Sequence, residues 1–600
     1  MTKSVKIILW VMLISAGAFN FAHSEAVKKA PVKTSTEVVK KDSLKTPLKA
    51  AAKETEKEAA KDTANESAKA VKTVKAGFTA NVMAPLYVKD MNEFEKWLST
   101  AKLMGIDAVT VDVWWGDVEK KDNEFTWSYY DTLFAKIKSH GLKIVPIMSF
   151  HQCGGNVGDD YTSKLPSWVW EKGKDMKYKS EQDNYSEEYV SLWADTVIKK
   201  DYIDFMNSFE RHFSGFSKDF LELNVSCGPS GELRYPSYNS HDKGSGYPTR
   251  GAFQGYSDRA KDDFRAWVKA KYKTLQAVQE SWKTDPPVTS WSMVNVPSKD
   301  SGNQMDEFWY YNADKSNYGR DLFTWYNDAL IKHGKRMIGY AIKAFDSSMA
   351  GVDLGYKVPG IHWRVSDKYR PRAAELNGGL IPGYENYNDS NGNGYDKIVS
   401  IPRQFKRKVI LHFTCLEMDD KENEDGKYVA SRAKTLVFWV GNEAARQGVA
   451  IKGENALAFL SDHGWDNIDN ATTWSSYNGL TVLRIGNVTT QTTKDRYRHY
   501  IMKFKGIPFL SIRGTFNNWV SVPMSKSGDI WTLKNLEFGN SASESFKFDV
   551  FNDWFVNFGG DGSEGPAIRN GKNIPVTAGK KYDIMFNESL LTFKVEPSQN

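Results

Sequence analysis

Two glutamates stand out by what precedes them. Glu232 closes the run Ser226-Cys227-Gly228-Pro229-Ser230-Gly231, which follows the apolar stretch Leu221–Val225. Glu454 follows Lys452-Gly453, just beyond the apolar stretch Gly448–Ile451. A glycine stands directly before each acid, so the backbone can turn there and present a carboxylate at a strand end. Two such carboxylates on one scaffold supply the chemistry of glycosidic cleavage: one protonates the leaving oxygen, the other activates water or attacks carbon. Either glutamate alone reads as a surface charge or an ion-pair partner, because domain rims carry many charges. Spacing does not choose between inversion and retention. Retaining barrels also place glutamates after the fourth and seventh strands, commonly behind Asn, where this chain has Gly231. The separation of the two carboxyls decides the outcome.

These acids need a scaffold whose strand ends face one cleft. From about Phe78, eight short apolar runs alternate with amphipathic segments. The runs are Ala80–Leu86, Ala108–Val113, Lys143–Met148, Leu221–Val225, Met349–Lys357, Lys408–Thr414, Gly448–Ile451 and Leu480–Leu483. They are β-branched and continuous, as in strands buried on both faces. Helical patterns lie between them, among them Met91–Met104, Tyr129–Ser139, Tyr202–Phe213 and Asp321–Phe345. Alternating strands and helices imply a parallel sheet, and eight units close a (β/α)8 barrel whose post-strand loops build the site. The loops after the third and fourth runs are long. After Gly506 the pattern becomes short alternating runs (Phe509–Ile512, Ser545–Val550, Leu591–Val595) between Gly, Asn, Asp and Ser turns. That predicts a small antiparallel β-sandwich. The fold class is therefore α/β, a barrel with long loops followed by an all-β module, joined near Lys503–Pro508.

The N-terminus carries Lys3 and Lys6, an apolar Ile7–Phe21 run and the small-x-small motif Ala22-His23-Ser24. This is the pattern of an export signal, which places the product in the extracellular or periplasmic space. The following stretch is rich in Lys, Ala, Glu and Thr and has no aromatic residue, so it is expected to stay disordered. The division is then a signal peptide at 1–24, a linker at 25–76, the barrel at 77–505 and the sandwich at 506–600. The net charge of +6 owes much to lysines in the leading segment, so it argues for a solvated tail and not for nucleic-acid binding. The three cysteines, Cys153, Cys227 and Cys415, are too few for a disulfide framework and are expected to be free and buried. Twenty tryptophans exceed the needs of a core and suit flat contacts with sugar rings.

Five motifs then make the reading specific. HQCGGNVGDD at 151–160, GELRYPSY at 231–238, GIHW at 360–363, FTCLEM at 413–418 and GENAL at 453–457 resemble, in order, the active-site motifs of β-amylases. The resemblance spans about Ala80 to Ile501. It implies a (β/α)8 barrel that hydrolyses α-1,4-glucosidic bonds of starch, glycogen-type glucans and maltodextrins from non-reducing ends, releasing β-maltose with inversion. It implies Glu232 as general acid and Glu454 as the base that activates water. Substrate contacts are implied at Asp112, His151, Asp159, Lys357, His362, Thr414, Asn455, Ala456 and Arg484. Gly154, Gly155 and Gly158 suit a loop that changes conformation as it closes. Arg364 departs from the aromatic residue often found after the GIHW tryptophan, which puts one secondary sugar contact in doubt. The chemistry needs no cofactor. Bacterial members suggest a structural Ca²⁺ near Glu119, Asp122, Asn123, Asp201 and Asp204, since oxygen donors suit that ion. The sandwich resembles a starch-binding module through Gly514–Trp519 and the cluster Trp531, Trp554, Phe555 and Phe558, with Trp519 and Trp554 as the exposed candidates. The expected partners are glucans alone, with no nucleic acid and no membrane once the signal is removed. The chain is expected to work as a monomer.

Overall fold

The computed structural model describes residues 74–154, 159–236, 252–296, 317–360, 396–424, 427–457, 460–539 and 543–599. Eight strands form the centre: β1 (Thr79–Met83), β2 (Ala108–Trp114), β3 (Lys143–Ser149), β4 (Glu222–Val225), β5 (Asp353–Val358), β6 (Val409–Phe413), β7 (Ile451–Glu454) and β8 (Gly479–Val482). Each pairs in parallel with its sequence neighbours, and β8 closes on β1 through Thr79↔Gly479 to Val82↔Val482. Every residue of β2, β4, β6, β7 and β8 is buried. That is the cost of covering both faces of a parallel sheet, and it explains their near-continuous apolar runs.

The helices that cover the barrel are α1 (Met91–Leu103), α2 (Ser128–Ser139), α3 (Lys199–His212), α4 (Asp258–Tyr272), α5 (Leu275–Trp282), α6 (Tyr318–Ala344), α7 (Ala433–Gln447), α8 (Asp462–Trp474) and α9 (Gln491–Lys505). Their starts follow local chemistry. Asp90 accepts from the backbone N–H groups of Asn92 and Glu93 at the start of α1, and Ser257, Thr274 and Ser461 cap α4, α5 and α8 in the same way. Phe94, Leu98 and Ala101 form the buried stripe of α1, at the spacing that sets one helix face against the sheet.

Beyond α9 the chain forms two antiparallel sheets, one of six strands including Leu510–Gly514 and Glu544–Val550, the other of five including Ile530–Glu537 and Lys581–Asn587. Ile512, Phe546, Phe548, Ile584 and Phe586 fill the space between them, all with no exposed surface. Val74–Asn600 form one compact unit, and α9 is where barrel and sandwich meet. Arg498 of α9 pairs with Asp553 at 2.6 Å and lies over the Phe555 ring at 3.8 Å.

The eight expected strands are all present, most within a few residues of their expected bounds. The seventh is displaced: it runs Ile451–Glu454, not Gly448–Ile451. Gly448 instead has φ +68 and lies between α7 and the strand. Lys452 and Glu454 lie inside the strand because the barrel interior supplies partners for both. All three cysteines are free and buried, as expected.

Candidate active site

Glu232 and Glu454 arrive at the same end of the barrel from β4 and β7. The backbone at Glu232 pairs with Lys357 at the end of β5, and Leu233 N–H donates to the Lys357 carbonyl at 2.8 Å. Glycines make the turn before Glu232 feasible. Gly231 has φ +78, and a Cβ there would lie 3.3 Å from His151 Cε1. A Cβ at Gly228 would meet the carbonyls of Glu232 and Arg234 at 2.5 Å. At the other acid, Gly453 leaves room for Leu416, whose Cδ2 would be 2.1 Å from a Cβ.

The two carboxylates sit in unlike surroundings. Burial pushes the Glu232 carboxyl above its usual value against the pull of Arg234 and Lys357, the negative charge of Glu454 adds to the rise, and a hydrogen bond from Thr414 opposes it. Arg234 Nε stands 3.2 Å from Glu232 Oε2. Glu454 is anchored on one side only: Lys357 Nζ donates to its Oε1 at 2.8 Å, while its buried Oε2 has no hydrogen-bond partner. The site therefore offers one carboxyl held towards its protonated form and one carboxylate with an oxygen to spare. Such an arrangement can do acid–base chemistry.

Around this pair lie most of the residues singled out from sequence. Asp112, on β2, accepts from Ser149 Oγ at 2.8 Å. His151 sets its ring edge-on to Trp114 at 5.2 Å, and burial pulls its pKa down to about 4, with Lys357 and Arg234 adding to the drop. The ring is thus neutral at ordinary pH, and its Nδ1 has no partner. Thr414 Oγ1 accepts from Gly360 N–H at 3.1 Å. Asn455 spends its side chain on the local backbone, accepting from Leu483 N–H at 2.9 Å and donating to the Leu457 carbonyl at 2.5 Å. Ala456 N–H donates to both Glu417 oxygens at 3.0 and 3.1 Å. Arg484 Nη1 donates to the Ala84 carbonyl at 3.1 Å and contacts Met83 Sδ at 3.7 Å, and Lys357 Nζ approaches the same sulfur at 3.8 Å. Asp159 lies within electrostatic reach of Cys153. His362, Gly155, Gly158, Trp363 and Arg364 fall outside the described residues.

Three contributors have no role in the sequence reading. Arg234 and Glu417 stand inside quoted motifs, two residues after Glu232 and within FTCLEM, and that proximity was the available signal. Glu222 carried none. It is fully buried inside the barrel, where Lys452 Nζ meets its Oε2 at 2.7 Å and His412 Nε2 its Oε1. Burial alone would raise its pKa, but Lys452 and His412 hold it down at about 2.

The residues expected around calcium are engaged with one another and with lysines. Lys172 Nζ sits between Asp122 Oδ2 at 2.6 Å and Asp201 Oδ1 at 2.9 Å, over the Trp168 ring at 4.7 Å. Glu119 is already engaged by Trp115 Nε1 at 2.7 Å and Asn123 N–H at 2.8 Å. Burial lifts its pKa to about 7. Asp204 pairs with Lys200 at 2.6 Å. In this arrangement the Lys172 ammonium is the cation that Asp122 and Asp201 share. Among the described residues no group of three or more His, Cys, Asp or Glu converges as a metal site would.

In the sandwich, Trp519 and Trp554 stand together at 5.7 Å between ring centroids, and Trp554 is 38 % exposed. Trp531 and Phe558 belong to the core at 5 % exposure.

A closed parallel barrel that brings two glutamates to its mouth, one of them held towards its protonated form, is the architecture of a glycoside hydrolase. Comparison with known proteins makes this particular. The sequence profile of glycosyl hydrolase family 14 matches residues 81–505. A thermophilic β-amylase of Thermoanaerobacterium thermosulfurigenes is 38 % identical over 69 % of this chain and 72 % of its own length. A β-amylase of Niallia circulans is 34 % identical over 82 % of this chain and 86 % of its own. The crystal structure of the catalytic domain of β-amylase from Paenibacillus polymyxa superposes with a TM-score of 0.62 at 37 % identity, covering 72 % of this chain and 99 % of that domain. The chain belongs to glycosyl hydrolase family 14.

Proposed function

We propose that the chain acts as a β-amylase, cutting α-1,4-glucosidic bonds of starch and related glucans from the non-reducing end and releasing β-maltose by inversion. Family membership carries the substrate and the inverting outcome, and one observation carries the acid and base roles: a buried Glu232 biased to keep its proton, within the field of a Glu454 whose Oε2 is free to accept one. Glu232 gives its proton to the bridging oxygen as the C1–O4 bond breaks. Water attacks C1 from the opposite face and passes a proton to Glu454. Lys357, bonded to Oε1, leaves Oε2 to face the water. One water is added across one bond, and proton exchange with solvent resets both acids.

Asp112 and the neutral His151 are assigned to the terminal glucose. Thr414, Asn455, Ala456, Asp159, His362 and Arg484 are assigned to the rest of the glucan cleft. No cofactor enters any step. The export signal at 1–24 supports a periplasmic or extracellular site of action. No described helix is long and apolar enough to cross a membrane. The 506–600 module is assigned to starch binding through Trp519 and Trp554.

Glu232→Gln and Glu454→Gln are each expected to lower kcat on maltoheptaose by about 10³-fold. Proton NMR of the first product is expected to show the β anomer. An α anomer, or wild-type turnover in either variant, would overturn the assignment.

A further inference from the structure

The turn that presents Glu232 combines left-handed backbone with hydrogen bonds of its own and with support from distant side chains. Ser230 has φ 57 and Gly231 φ 78. Within the turn, the backbone bonds from Cys227 N–H to Gly231 O, Gly231 N–H to Gly228 O and Glu232 N–H to Pro229 O measure 3.4, 3.1 and 3.1 Å. The two carbonyls that lead into it are taken by side chains from distant parts of the chain. The Tyr189 hydroxyl donates to Ser226 O at 3.0 Å. His333 Nε2, on α6, donates to Cys227 O at 3.0 Å. Both residues have no exposed surface, and their rings meet edge-on at 5.7 Å. His333 Nδ1 faces Asp195 Oδ2 at 2.6 Å. Asp195 is gripped in turn by Arg336 Nε, at 3.0 and 2.9 Å from its two oxygens. The result is a chain of partners from Arg336 through Asp195 and His333 to the backbone of the acid-bearing turn, with Tyr189 bracing the adjacent carbonyl.

None of these groups reaches the cleft, and none lies in a motif that suggested function. Their common target is the segment ending in Glu232. Proton delivery demands that the carboxyl sit within hydrogen-bond reach of the leaving oxygen, and a displacement of about 1 Å is enough to cost about 10²-fold in rate. We infer that Tyr189, His333 and Asp195 are positioning residues for Glu232, acting on protonation of the leaving oxygen and not on water attack. The inference rests on the reading of Glu232 as general acid.

The test compares two substrates. Maltoheptaose needs its leaving oxygen protonated. In α-maltosyl fluoride the C1–F bond breaks with fluoride departing as the anion, while water bonds to C1 and its proton goes to Glu454. The second reaction needs the base but not the acid. Tyr189→Phe, which removes one hydroxyl, and His333→Gln are expected to lose about tenfold in kcat on maltoheptaose, with KM within about twofold and the rate on the fluoride within about twofold. Glu232→Gln is expected to show the same selectivity with a larger loss, and Glu454→Gln to fail on both substrates. If Glu232→Gln discriminates but Tyr189→Phe loses rate equally on both substrates or on neither, the positioning role is overturned and the acid assignment stands. If Glu232→Gln does not discriminate, the acid assignment fails and the positioning role fails with it. Should His333→Gln not fold, Tyr189→Phe decides alone.

Discussion

At Glu232 opposing influences meet on one carboxyl. Burial and the charge of Glu454 favour the protonated form, while Arg234, Lys357 and the Thr414 hydroxyl favour the ionised one, and the net shift is upward. A general acid works only while protonated, so turnover falls as pH rises through this raised value. Thr414→Val removes a hydrogen bond to the ionised form and leaves the other influences in place. A bond of that kind is worth about 1.5 kcal/mol, or about one pH unit. The alkaline limb of the kcat/KM profile is therefore expected to move up by about one unit, with a lower plateau because a cleft contact is lost. A limb that stays in place, or moves down, would separate Thr414 from the titration of Glu232. His151 shows the converse case. Burial keeps it neutral down to about pH 4, so the ring offers neutral hydrogen-bonding nitrogens over the range in which the proposed acid must hold its proton.

The strand ends convert these residue properties into geometry, and Gly231 is where they are least forgiving. Its φ of +78 favours glycine, and a Cβ would crowd the His151 ring at 3.3 Å. Gly231→Ala is expected to cost about 1–2 kcal/mol of stability from the left-handed backbone alone. It should also lower kcat by about tenfold or more, because relief of the crowding moves either the acid or His151. Thermal melting and kcat on maltoheptaose check the two parts separately, and a melting shift with unchanged kcat would make the glycine structural only. The same strands show how much the sequence could reveal. Apolar runs marked all eight, since strands buried on both faces must be apolar almost throughout. The seventh run was misplaced because Lys452 and Glu454 break the apolar pattern from inside the barrel, where Glu222 and Lys357 receive them. A charge buried against a partner on another strand looks, in sequence, like a charge at a surface. Glu232 and Glu454 stand in motifs that the sequence displays, and the resemblance pointed to Asp112 and Lys357 beside them. Tyr189 and His333 were not legible, because their targets lie 37 and 106 residues away. Lys172 was equally hidden, because it is 50 and 29 residues from the two acids it joins.

At the scale of the whole molecule, the sandwich is seated on the barrel's last helix. Arg498 of α9 is itself buried, bonds Asp495 at 2.5 Å and Asp553 at 2.6 Å, and carries the Phe555 ring, while Arg569 meets His499 at 3.0 Å. The same stretch, 551–555, that grips α9 carries Trp554, so the exposed indole is fixed with respect to the catalytic barrel. Trp519 and Trp554 both adopt left-handed backbone, at φ 63 and 66, which bulky residues rarely do and which persists only where the surroundings enforce it. Arg513 enforces it here: it donates to the Trp519 carbonyl at 3.1 Å and to Asn552 at 2.7 Å, pairs with Asp549 at 2.6 Å, and lies 5.1 Å from the Trp554 ring centre. On the proposed starch-binding role, these two indoles, tilted at 54° to one another, offer apolar faces to glucose rings. Tethering raises the local concentration of chain ends on a solid substrate and adds nothing for a short soluble one. The double variant Trp519→Ala/Trp554→Ala is therefore expected to lower the rate on starch granules by about tenfold relative to the rate on maltoheptaose, and to pellet less with granules in the same proportion. Arg513→Met, which releases both tryptophans without removing either, should reproduce part of the loss. Equal rates on granules for all three proteins would show that the pair does not hold glucan.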